Sequence, residues 1–168
     1  MKSHLQAPAI LISAASSICA GSALAATESS TMNVSARVDP TCTVYASIPI
    51  RFQIYAPNDS SPHHSRTSIN ASCTKGTEYE LGLGAGKNSS HSERTTRAMS
   101  DGNGHYLSYE LYLTNAYNTV WKDIGSDSTA KNTAQASSDR HVVYGQIPPR
   151  QFITPGQYSD TVNVTLKF

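Results

Sequence analysis

Apolar residues recur at every second position through most of this chain, and nowhere after residue 25 do they keep a helical period over a helix's length. Period two is the mark of a strand with one face in a core and the other in water. It is clearest at the end of the sequence, where Val162, Val164, Leu166 and Phe168 alternate with Asn163, Thr165 and Lys167. A terminus frays unless something ties it down, so a strand carried to the last residue calls for a neighbour.

The same alternation appears in Thr31 to Val38, with Met32, Val34, Ala36 and Val38 on one side, behind a polar leader. Asp39-Pro40 breaks it, because proline cannot donate to a ladder. Thr41 to Tyr45 and Ile50 to Tyr55 are further short strands, followed by a surface loop at Ser60 to Ser65. Thr67, Ile69, Ala71 and Cys73 share one face, as do Tyr79, Leu81, Leu83 and Ala85, and Lys75-Gly76-Thr77 between them has the composition of a hairpin turn. Asp101 to Gly104 is a second turn, after which Leu107, Tyr109, Leu111 and Leu113 alternate with Ser108, Glu110 and Tyr112. Thr119 to Trp121 and His141 to Ile147 complete the strands, while Ser126 to Ser138 is polar and patternless. Many short strands punctuated by glycine and proline predict an all-β sandwich or barrel, in one domain of ordinary size.

The N-terminus has a different character. Lys2 and His4 precede an apolar, small-residue run from Ala9 to Ala20, and Ala23-Leu24-Ala25 fits a cleavage site, so residues 1–25 are expected to be a secretory signal peptide. The run is broken by serines and falls short of the ~20 residues a membrane span needs. Cleavage removes Cys19 and leaves Cys42 and Cys73, an even number in an oxidising compartment, for which a disulfide is the expected state. Lys2 is the only charge lost, so 13 basic residues become 12 against 12 acidic ones. No basic stripe offers a nucleic-acid or membrane surface.

No motif in the chain requires catalysis, a cofactor or a metal. Gly82-Leu83-Gly84-Ala85-Gly86 lacks the following helix that a phosphate loop uses. The five histidines after the leader, His63, His64, His91, His105 and His141, are scattered, and His63-His64 has no further ligand at metal spacing. Asp101, Asn103 and His105 share the alternation of a calcium loop without its bidentate glutamate. There is no Gly-x-Ser-x-Gly elbow.

Several segments taken together resemble a known family. Cys73-Thr74-Lys75-Gly76-Thr77-Glu78-Tyr79-Glu80-Leu81, Arg97-Ala98-Met99, Tyr106 to Tyr112, Trp121, Val143 to Pro148 and Gly156 to Val164 are similar to the spore coat protein U domain, a family that includes the pilin subunits of archaic, Csu-type chaperone-usher pili. The resemblance runs from about Met32 to Phe168, and departs from the pattern at Gln53, at Lys122 and across Ser126 to Ser138.

The resemblance implies an immunoglobulin-like β-sandwich lacking its seventh strand, with an apolar groove beside the last strand. A periplasmic chaperone would fill the groove first. At an outer-membrane usher, the N-terminal strand of another subunit would replace it, giving a self-polymer by donor-strand complementation. The resulting expectations are a donor strand in residues 26–38, with knobs Met32, Val34, Ala36 and Val38, and a pilin domain in residues 39–168, with Val162, Val164, Leu166 and Phe168 lining the acceptor groove. The product would be a surface pilus for adhesion and biofilm formation. A spore-coat or matrix protein, or a carbohydrate-binding tip adhesin using Tyr106, Tyr112 and Tyr117, are the alternatives. From alternation alone, residues 32–38 serve equally well as the domain's own first strand.

Overall fold

The computed structural model describes residues 25–46, 48–91 and 95–168. The expected signal peptide therefore lies almost entirely outside the described residues. The chain divides into two units, Met1–Ala36 and Arg37–Phe168. The described part of the first has no regular secondary structure and is exposed throughout. Thr31 to Val38 thus forms no strand despite its alternation, for a strand needs a ladder partner and these residues have none among the described residues.

The second unit is built of strands. They are β1 (Cys42–Tyr45), β2 (His63–Cys73), β3 (Glu78–Leu83), β4 (Arg97–Ser100), β5 (Tyr106–Tyr112), β6 (Ala130–Thr133), β7 (Asp139–Ile147) and β8 (Val164–Lys167), with one 3₁₀ turn at Ser89–His91. A five-stranded sheet runs in the order β1-β2-β7-β5-β4 and a three-stranded sheet in the order β6-β3-β8. All paired neighbours are antiparallel.

The sheets pack face to face, as an immunoglobulin-like sandwich requires. Ile69 of β2, Leu107 and Leu111 of β5 and Val143 and Ile147 of β7 meet Tyr79, Leu81 and Leu83 of β3, with Trp121 wedged among them at 1% exposure. The Trp121 indole N–H donates to the Leu81 carbonyl at 2.9 Å, so this polar handle is satisfied inside the core.

Five local expectations change. Lys75-Gly76-Thr77 is a turn, with Gly76 at φ 82°, but it is no hairpin. β2 already has β1 and β7 on its two edges, so β3 must cross to the other sheet. Ile50 to Tyr55 is extended without joining a ladder, and Val120 makes only an isolated bridge to Tyr112. The polar run Ser126 to Ser138 contains a strand, β6, because Glu78 to Leu81 offer it a free edge. Finally, β2 begins at His63, inside the expected loop.

Candidate strand-acceptor groove

A cavity of about 1360 Å³ opens between the sheets. It is a trough open to one side rather than an enclosed void, and residues of both sheets line it. Its floor is apolar and comes from the five-stranded sheet: Ile69, Leu107, Tyr109, Leu111, Val143 and Ile147. One wall carries Ile50 and Phe52 from the extended segment before β2. They lie over Gly145, where a Cβ would stand 2.5 Å from Ile50 Cδ1 and 2.8 Å from Phe52 Cζ. The opposite wall is the run from Ile153 through Tyr158 and Asp160 to Val162 and Val164.

Two strands, β8 and β1, end their sheets. β8 is the end of its sheet and, among the described residues, pairs only with β3, through Leu83↔Val164, Gly82↔Thr165, Leu81↔Leu166 and Glu80↔Lys167. β1 is the end of the other sheet, and β1 and β8 approach each other. A row of unpaired N–H and C=O groups beside an apolar trough is a template for one more strand.

The expected groove residues separate into three settings. Val162 and Val164 line the cavity. Leu166 packs half-buried against the core, outside that lining. Phe168 is 60% exposed and borders a separate depression of about 610 Å³ walled by Glu78, Glu80, Lys131 and Lys167. The expected donor knobs Met32, Val34 and Val38 are 84%, 83% and 77% exposed, and Ala36 is exposed as well. Cys42 and Cys73 are bonded to each other and stand opposite in register at the ends of β1 and β2.

Sequence reasoning missed the polar groups that frame the groove. Asp160 Oδ2 accepts the Tyr109 hydroxyl at 2.8 Å, and Oδ1 accepts the Lys87 N–H at 2.9 Å and the Asn88 amide at 3.1 Å. Burial, together with the Asp160 carboxylate, pushes the Tyr109 phenol well above its ordinary value. Outside the cavity lining, Gln151 clasps β5, accepting from Ser108 N–H at 2.9 Å and donating to Ser108 C=O at 2.9 Å. Alternation cannot reveal such residues, since each sits at an irregular position and is identified only by its partner.

A second polar cluster joins the sheets away from the groove. The Tyr79 hydroxyl lies 2.7 Å from His141 Nε2 and donates to Asp139 Oδ2 at 3.2 Å. Burial and the neighbouring Asp139 charge push Tyr79 up to about 12, and burial pulls His141 down. The tyrosines considered for sugar stacking are occupied within the molecule. Tyr106 stacks on His91 at 4.0 Å, while Tyr117 stacks on His64 at 4.0 Å and meets Tyr112 edge-on at 5.5 Å. Among the described residues no group of three or more His, Cys, Asp or Glu side chains could hold a metal ion.

The fold is an antiparallel two-sheet β-sandwich with an apolar trough along one side. The model of the Spore Coat Protein U domain matches residues 28–165, and the chain belongs to that family. Among solved structures it is similar to the CsuC-CsuE chaperone-tip adhesion subunit pre-assembly complex from archaic chaperone-usher Csu pili of Acinetobacter baumannii. That match has 22% identity and a TM-score of 0.55, and covers 78% of this chain and 40% of the other. A chaperone-tip adhesin complex of CFA/I fimbriae biogenesis matches at 13% identity and TM-score 0.44, over 74% of this chain and 40% of the other. The E. coli Hda pilus minor tip subunit, HdaB, matches at 12% and 0.33, over 75% and 79%. The chain thus spans less than half the length of the first two structures it matches. No curated protein sequence matches.

Proposed function

We propose that this chain is an exported structural subunit, a pilin joined head to tail with its neighbours by donor-strand complementation into a chaperone-usher surface pilus. The observation that carries the proposal is the apolar cavity beside the unpaired edge of β8 in a chain whose residues 32–38 expose an alternating apolar row. Residues 26–38 of one copy, released when the signal peptide of residues 1–25 is removed, enter the cavity of another and pair along β8. Residues 39–168 form the receiving domain. Burying Met32, Val34 and Val38 contributes about 5 to 8 kcal/mol before any backbone pairing. A contact between two different surfaces that does not close on itself propagates as a filament.

The same chemistry assigns the partners. An apolar trough with an open edge aggregates if left bare, so a periplasmic chaperone covers it before assembly and an outer-membrane usher is where the exchange occurs. The pilus serves adhesion and biofilm formation, and the chain's role in it is mechanical rather than enzymatic. The test is the mature protein with residues 26–38 deleted, expressed in place of the wild type. A chaperone-bound monomer that adds to no fibre is expected; fibres of ordinary length would overturn the proposal.

A further inference from the structure

The wall of the groove that leads into β8 has no ladder of its own. Between Ile153 and Val162 the chain is irregular, and its only backbone pairing among the described residues is the isolated bridge in which Ser159 and Ser100 exchange hydrogen bonds of 2.8 and 2.9 Å. Tyr158 and Val162 face an open apolar trough, and apolar side chains beside an empty trough gain free energy by falling into it. Something must hold this strap aside. The Ser159–Ser100 bridge pins its middle through the backbone, and the side chain next to it, Asp160, adds a second hold with two carboxylate oxygens that reach in different directions.

Asp160 Oδ2 takes the Tyr109 hydroxyl from the groove floor. Oδ1 takes the Lys87 N–H and the Asn88 amide from the loop after β3, outside the groove lining. The loop fits because Gly86, at φ +85°, brings its backbone against the carboxylate: a Cβ there would stand 2.0 Å from Asp160 Oδ2. A carboxylate with three donors from two sides is fixed in place, and the strap with it.

We infer that Asp160 is a positioning residue of the acceptor groove: clasped by Tyr109, Lys87 and Asn88, it holds the strap open so that an incoming donor strand meets a preformed trough rather than a collapsed one. The inference rests on the strand-exchange reading and adds its regulation. Preorganisation of this kind acts on the cost of ordering the receiving site, so its loss appears first in the association rate.

The experiment uses the full mature, disulfide-bonded chain and a synthetic peptide of residues 28–39 as the probe, followed by stopped-flow fluorescence. Asp160→Asn and Tyr109→Phe should each associate about tenfold more slowly than wild type, the size expected for one lost hydrogen bond to a charged group. Tyr79→Phe removes a hydroxyl from the cluster that lies outside the groove, and should bind at the wild-type rate whatever it does to the melting temperature. Wild-type association rates in both groove variants would overturn the inference, as would slowing that Tyr79→Phe shares in proportion to lost stability. If Asp160→Asn fails to fold, Tyr109→Phe, which lacks a single oxygen, decides. A wild-type chain that takes up no peptide would instead sink the strand-exchange reading itself.

Discussion

The Arg97 guanidinium donates to the Glu110 carboxylate where the two side chains are 1% and 3% exposed. Arg97 also donates to the carbonyls of Gly84 at 3.0 Å, Leu83 at 2.9 Å and Trp121 at 2.7 Å. Glu110 accepts from the Thr96 N–H at 2.9 Å, the Thr96 hydroxyl at 2.6 Å and the Leu111 N–H at 3.0 Å. The pair therefore ties β4 and β5 of one sheet to the end of β3 in the other, and its desolvation is offset by nearly complete hydrogen bonding.

Removing one member leaves a buried charge without its partner. Arg97→Met should lower the stability of the mature chain by about 3 to 5 kcal/mol, read from urea denaturation. The double variant Arg97→Met/Glu110→Leu should recover only part of this, since three carbonyls lose their donor.

The disulfide should contribute about 3 to 4 kcal/mol through the unfolded chain, from a sequence separation of 31 between Cys42 and Cys73. Cys42→Ser is expected to lower the thermal midpoint and the periplasmic yield together. Alkylation of the wild type without reductant should label neither cysteine.

Acid and alkali should each weaken the Tyr79 cluster. His141 is held below its ordinary 6.5, so the unfolded chain binds the proton more readily, and this stabilisation is present above pH 6.5 and lost as pH falls through the lower folded value. Tyr79 moves the other way, from 10.0 to about 12, so its contribution is complete below pH 10 and lost as pH rises towards 12. Urea midpoints measured across pH should fall on both limbs, and His141→Gln should flatten the acid one.

Gly145→Ala addresses the groove directly. Its Cβ would displace Ile50 and Phe52, whose atoms lie at 2.5 and 2.8 Å, while the backbone keeps its ladder with Ser65 and Leu111. Overpacking of flexible side-chain ends should cost about 1 kcal/mol or a little more. Uptake of the residue 28–39 peptide should weaken because one wall has moved, and calorimetric titration reads the change.

Alternation made β2, β3, β5 and β7 legible because each buries one face against the opposite sheet. Its failures have definite causes. Ser108 and Glu110 belong to the face assigned to water, yet both are buried, since Gln151 and Arg97 satisfy their neighbourhood. β6 escaped because Lys131 and Asn132 at its centre are exposed and carry no apolar signal. Ile50 to Tyr55 has a strand's composition but no ladder, and residues 31–38 have the pattern but no partner within the described chain. Of the groove, Val162 and Val164 were visible in the sequence; the Asp160 clasp and the Ile50 and Phe52 wall depend on contacts more than fifty residues apart along the chain, as Tyr109 to Asp160 (51) and the approach of Ile50 to Gly145 exemplify.

The position of the disulfide has a mechanical consequence. Cys42 heads β1 and Cys73 closes β2, directly across from it. Tension arriving along the residues before Thr41 meets the covalent bridge at Cys42 before it reaches the rest of β1, and the sulfur bridge passes it to β2, an eleven-residue strand flanked on both sides. A load that would otherwise peel a four-residue rim strand is delivered instead to the strand inside it, which is paired on both sides and must shear many bonds at once.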